Sequence, residues 1–90
     1  MLERRVIIAS ASGLHARPAS RFTQAAADCG HPVTVSRPGQ PGVDASSVLM
    51  VMSQGLGHGE EVVLASDDAA AGPALDALVT LLEQDLDAQE

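Results

Sequence analysis

The chain has 90 residues, of which 46% are hydrophobic and 19% charged, a globular balance that suits one domain over residues 1–90, excludes two, and argues against disorder. Five arginines against twelve acidic residues give a formal net charge of −7, a sign that argues against nucleic acid or an anionic membrane as partner. The arginines all lie within residues 1–37, where only Glu3 and Asp28 oppose them, so a local cationic face on an acidic chain is expected.

Val6-Ile7-Ile8-Ala9, apolar on both sides, predicts a strand in a central position of a sheet. Ala19, Phe22, Ala25, Ala26 and Cys29 recur at helical spacing between Pro18, which suits a first turn, and Gly30, which suits a stop. Val33-Thr34-Val35 and Val43-Asp44-Ala45 flank the turn cluster Pro38-Gly39-Gln40-Pro41-Gly42 and predict a hairpin. Ser46-Ser47 supplies capping chemistry ahead of Val48-Leu49-Met50-Val51-Met52, read as a short helix. A loop over Gln54 to Gly59 leads into a strand from Glu60 to Ser66, with Val62 and Leu64 on one face and Val63 and Ala65 on the other. Beyond Asp67-Asp68, with Pro73 in its first turn, Leu75, Leu78, Val79, Leu82 and Leu86 form the apolar stripe of a last helix. The order β-α-β-β-α-β-α predicts an α+β fold: an open-faced sandwich in which a four-stranded, mainly antiparallel sheet carries three helices on one face. Phe22 is the only aromatic residue, so the core is expected to be aliphatic.

Cys29 is alone, so no intramolecular disulfide can form, and no apolar stretch approaches the roughly 20 residues that span a bilayer. The apolar run after Arg4-Arg5 is too short for a signal peptide. A cytoplasmic chain without membrane insertion is expected.

Chemistry is expected at Gly13-Leu14-His15-Ala16-Arg17-Pro18-Ala19, where a histidine stands between the first strand and the first helix. A helix start offers unpaired backbone N–H groups and the positive end of the macrodipole. Here Ala16 and Arg17 contribute N–H groups, and the Arg17 guanidinium can add two more donors. Such a place suits an oxyanion and disfavours an imidazolium, so His15 is expected to be neutral and nucleophilic at about pH 7. Pro18 forfeits no hydrogen bond, because its missing N–H falls where helices leave donors free. The bland alternative is an exposed, N-capping His15 with Arg17 and Arg21 as plain surface charges.

That heptapeptide resembles the active-site signature of the histidine-containing phosphocarrier family, HPr, of the bacterial phosphotransferase system. Ser47-Val48-Leu49-Met50-Val51-Met52-Ser53 is similar to the family's second signature, around its regulatory serine, and the Gly55-Leu56 and Gly59 pattern and the element order also agree. The resemblance implies that His15 accepts a phosphoryl group at Nδ1 from enzyme I, with phosphoenolpyruvate as ultimate source. It implies that the group then passes to a histidine on enzyme IIA domains of sugar permeases. Arg17 would stabilise the phosphate together with the backbone of Ala16 and Arg17. Ser20 and Arg21, with Val48, Leu49 and Met52, would form the face that docks partner proteins, although at helical spacing the last three suit a core equally well. For Ser47 the resemblance implies phosphorylation by a dedicated HPr serine kinase, whereas as a plain residue Ser47 is an N-cap. Ser46 stands where many members carry Lys, and Met50 where Gly or Lys is common.

A carrier of this kind is not an enzyme by itself and needs no cofactor or metal; a monomer is expected. His31 and His58 share no ligand spacing with His15 or Cys29 and are read as loop residues. Gly55-Leu56-Gly57-His58-Gly59 lacks the full pattern of a nucleotide-binding turn. The rival readings are an α+β binding or regulatory domain that is never phosphorylated, or a carrier with the same chemistry serving a nitrogen-regulatory or dihydroxyacetone kinase relay.

Overall fold

Short runs of alternating side chains set down a four-stranded sheet in the computed structural model, which describes residues 2–9 and 16–84. In chain order the elements are β1 (Leu2–Ile7), α1 (Ala16–Asp28), β2 (Thr34–Ser36), β3 (Val43–Asp44), α2 (Val48–Ser53), β4 (Glu61–Ser66) and α3 (Gly72–Leu82). The strands lie in the order β1-β4-β2-β3, and every pairing is antiparallel. This is the expected open-faced α+β sandwich.

Register decides which residues meet the helices. Val6 stands opposite Val62, and Leu64 is flanked by Arg4 and Val35, so these side chains share the inner face. Val62, Leu64 and Val35 are wholly buried there, against Phe22 of α1, Val51 of α2 and Leu75, Leu78 and Leu82 of α3. The outer face of β4 carries Val63 between Arg5 and Ser36, and Ala65 between Glu3 and Thr34. Long or polar neighbours on both sides shield these apolar residues, which are buried although no helix covers them.

The first strand departs from expectation. β1 begins at Leu2, four residues earlier than the apolar run suggested, and it is an edge strand; the central place belongs to β4. Its residues alternate: Val6 and Ile8 are buried while Ile7 is 52% exposed. An edge strand on an open sheet needs only one apolar face, and charged residues on it discourage pairing with another chain. Arg4 is accommodated because its Nε donates to Asp76 Oδ1 of α3 at 2.8 Å. Pairing continues past the strand through Ile8 N–H to the Glu60 carbonyl at 3.0 Å.

α1 begins at Ala16, with Pro18 in its first turn as expected, and turns Ala19, Phe22 and Ala26 into the core. Thr23 is also buried; its Oγ1 donates to the Ser20 carbonyl at 3.2 Å, so the polar atom is satisfied within the helix. Gly30, at φ +81°, lies just beyond the helix in the left-handed region that stops helices favour. In the β2–β3 hairpin a Cβ on Gly42 would stand 2.9 Å from Thr34 Cβ, so only glycine lets the two strands close there. β2 is displaced one residue from the expected Val33–Val35, and β3 stops at Asp44, while the Ala45 N–H still donates to the Val33 carbonyl at 2.9 Å. α3 buries Leu75, Leu78 and Leu82 as its stripe requires, with Val79 half-buried; Leu86 lies outside the described residues. No helix among the described residues is long and apolar enough to cross a membrane.

Candidate functional site

The described part of the candidate site starts at the first turn of α1. His15, with Gly13 and Leu14, lies outside the described residues, and the next residue in the chain, Ala16, is the first of the helix. The leading N–H groups of a helix have no intrahelical acceptor, so those of Ala16 and Arg17 are supplied at the chain position where an anion was expected. No acidic residue stands in this first turn to offset the macrodipole. Because Ala19 and Phe22 face the core, helical spacing carries Arg17, Ser20 and Arg21 to the other side, where all three are exposed.

Among the described residues, Arg4 pairs with Asp76 at 2.8 Å, Arg5 with Glu61 at 3.6 Å and Arg37 with Glu60 at 2.9 Å. Arg17 and Arg21 stand exposed on α1, the two arginines of residues 1–37 that lie nearest the candidate site in the chain.

α2 packs beside α1 and presents the second set of candidate residues. Ser47 is its N-cap: the Oγ accepts from Met50 N–H at 3.2 Å, and the backbone there is extended. Asp44 prepares that start, its Oδ1 accepting from Ser46 N–H at 2.9 Å and from Ser46 Oγ at 2.6 Å. Only Val51 of α2 is buried; Val48 and Met52 are exposed, and Leu49 is 79% exposed. The core alternative for these three residues is thus overturned, since six residues of helix bury a single side chain. Met50 is exposed as well and belongs to the same apolar surface, although sequence reasoning left it out.

A second polar centre went unseen in the sequence. Arg37, just after β2, directs its Nη1 to the Gln54 carbonyl at 2.7 Å and its Nη2 to the Gly55 carbonyl at 3.2 Å, beyond the end of α2. Its Nε and Nη2 also fork onto the two oxygens of Glu60 at 2.9 and 3.2 Å. His31 and His58 fall in loops as expected, and His31 Nδ1 lies 2.6 Å from Asp68 Oδ2. Among the described residues no cluster of three or more His, Cys, Asp or Glu is arranged to hold a metal.

Three carboxylates are held below their ordinary range. The Ser46 hydroxyl and then its N–H lower Asp44; the Arg37 side chain and then the Gly57 N–H lower Glu60; the Ala70 N–H and then the His31 imidazole lower Asp68. On acidification the unfolded chain therefore takes up protons before the folded one. The stability these groups contribute is complete above the ordinary carboxylate values, about pH 4, and is lost as pH falls through the lowered ones. Urea midpoints measured over a pH series are expected to fall below about pH 4, and Glu60→Gln to flatten that fall. A midpoint that rises on acidification would contradict this assignment.

Comparison with known proteins bears on the family and the fold. The family model described as the PTS HPr component phosphorylation site matches residues 2–84. The phosphocarrier protein HPr of Streptomyces coelicolor is 47% identical over 87 residues, covering 97% of this chain and 94% of that protein. The phosphocarrier protein HPr of Haloferax volcanii is 40% identical over 82 residues, covering 90% and 92%. The crystal structure of HPr-C-His from Thermoanaerobacter tengcongensis superposes with a TM-score of 0.86 at 33% identity, covering 97% of each chain. With the fold, the family model and relatives of nearly full length all in agreement, the chain belongs to the HPr family of phosphocarrier proteins.

Proposed function

We propose that this chain of one domain takes a phosphoryl group from phospho-enzyme I onto Nδ1 of His15 and passes it to a histidine of enzyme IIA domains of sugar permeases. The observation that carries the reading is the start of α1 at Ala16, directly after His15, inside a chain matched over residues 2–84 to the HPr family. A neutral imidazole brings its Nδ1 lone pair to phosphorus while the bond from phosphorus to the donor breaks, and the reverse step hands the group on. Such a transfer needs in-line placement and charge stabilisation more than covalent machinery. The first N–H groups of α1 and the Arg17 guanidinium are suited to the three phosphoryl oxygens. The carrier supplies nucleophile and donors; its partners complete the site.

The exposed apolar surface of α2, beside Ser20 and Arg21 on α1, suits docking. Methionine side chains adapt to more than one partner, as a carrier serving both a donor and several acceptors requires. A phosphate on Ser47 would be tolerated at a helix N-terminus while adding about −1.5 to −2 charge beside Val48 and Leu49. That is how a serine kinase would weaken docking without unfolding the helix.

Incubation of the chain with enzyme I and phosphoenolpyruvate tests the reading. One acid-labile, base-stable phosphate per chain is expected, and its transfer to an enzyme IIA domain on addition. No uptake, with an enzyme I active on another carrier, would contradict it. Arg17→Ala is expected to lower the transfer rate by about 10- to 100-fold, the worth of a charge-assisted hydrogen bond to a transferring group. Because Arg17 is exposed, unfolding stability is expected to move by no more than about 0.5 kcal/mol. Rapid-quench transfer assays and urea denaturation on the same variant check both halves, and a variant that unfolds yet transfers normally when folded would make Arg17 structural.

A further inference from the structure

α2 is six residues long with Val51 as its one buried residue, shorter than a helix that holds itself in water. Its start is fixed by Ser47. Its end is fixed from outside, by a side chain that arrives from the far end of β2. The Gln54 N–H and Gly55 N–H close the last turn onto the carbonyls of Val51 and Met52 at 3.2 and 3.1 Å. The carbonyls of Gln54 and Gly55 then turn to the Arg37 guanidinium, which is locked by its fork onto Glu60. Glu60 in turn accepts from Gly57 N–H, so one carboxylate holds both the arginine and the loop that leads into β4.

We propose that Arg37 is a positioning residue for partner docking: it fixes the last turn of α2 and thereby the angle at which Leu49, Met50 and Met52 are presented. This inference rests on the docking role proposed above for α2. Half-exposed ion pairs contribute little to global stability, so the network matters through what it orders. Without the guanidinium, the two carbonyls turn to water and the last turn of α2 frays. Partners must then order that turn on binding, and the ordering is subtracted from affinity. The hydrogen bonds described for Arg37 run to Gln54, Gly55 and Glu60 and none to α1, so the chemical step is expected to be untouched.

The test compares wild type, Arg37→Ala, Glu60→Gln and Leu49→Ala as phosphoryl donors to an enzyme IIA domain, with amide hydrogen exchange on the same samples. Arg37→Ala is expected to raise KM about tenfold with kcat within about twofold. It should also speed exchange at Gln54, Gly55 and Gly57 while the amides of β4 stay protected. Leu49→Ala is expected to raise KM without altering that exchange. An unchanged KM for Arg37→Ala beside a raised KM for Leu49→Ala overturns the inference and leaves docking by α2 standing. An unchanged KM for Leu49→Ala overturns the docking reading and the inference with it. If Arg37→Ala does not fold, Glu60→Gln decides, since it keeps size and an acceptor oxygen while removing the charge. A KM raised about threefold supports the inference, and one equal to wild type overturns it.

Discussion

His15→Ala is expected to abolish phosphate uptake from phospho-enzyme I altogether while the chain folds as before. Alanine has no nucleophilic atom, and Arg17 with the N–H groups of Ala16 and Arg17 can stabilise a phosphoryl group but cannot bond to it. His31 is no substitute, because its Nδ1 is engaged by Asp68 and it sits in the loop after α1, at the opposite end of that helix from Ala16. The measurement is radiolabel transferred from phosphoenolpyruvate through enzyme I, with far-ultraviolet circular dichroism to confirm folding. Label retained at wild-type level by the variant would remove His15 from the site.

Phe22→Ala is expected to have the largest effect on stability. Phe22 is the only aromatic residue and is wholly buried, among Leu64, Leu75 and Leu78 in one core. Truncating such a side chain costs about 3–5 kcal/mol, out of a total of about 5–15 kcal/mol for a small domain. For a domain of this size each kcal/mol is about 4–8 °C in Tm, so a drop of about 15–30 °C follows for the mid-range loss. Leu49→Ala also truncates an apolar side chain, but at an exposed position, and is expected to leave Tm nearly unchanged. Thermal denaturation of the two variants side by side checks the contrast. A Phe22→Ala chain as stable as wild type would mean that the core closes over the gap at no cost. Phosphate uptake per folded molecule is expected to survive in Phe22→Ala, since that residue faces the sheet while Arg17 and Ser20 face solvent.

The legible elements are those whose burial repeats with the period of their own backbone. In α3, Leu75, Leu78 and Leu82 lie at helical intervals and all are buried. In β4 the two faces alternate as expected, Val62 and Leu64 toward the helices and Val63 and Ala65 outward, although all four are buried. β1 was misplaced because the compact run Val6 to Ala9 outweighed a weaker alternation that begins at Leu2 and includes Arg4. That arginine takes an inward register position only because α3 brings Asp76 to meet it. The exposure of Val48, Leu49 and Met52 is not settled by spacing, since apolar residues on a helix ordinarily mark a core. What decides it is the shortness of α2, which turns only Val51 inward. The links Arg37–Glu60 and His31–Asp68 join residues 23 and 37 positions apart and exist only once the sheet has formed. At the candidate site, the helix start and its donors follow from Ala16, Arg17 and Pro18, whereas the phosphoryl role and Nδ1 attachment proposed for His15 rest on family resemblance.

Phosphorus NMR of the chain labelled with nitrogen-15 histidine, after treatment with enzyme I and phosphoenolpyruvate, tests the phosphoryl assignment most directly. The chain has three histidines, and only His15 is expected to change. The expected spectrum holds one phosphoramidate resonance, coupled to Nδ1 of that single imidazole. A phosphate-ester resonance, or coupling to the ring of His31 or His58, would contradict it.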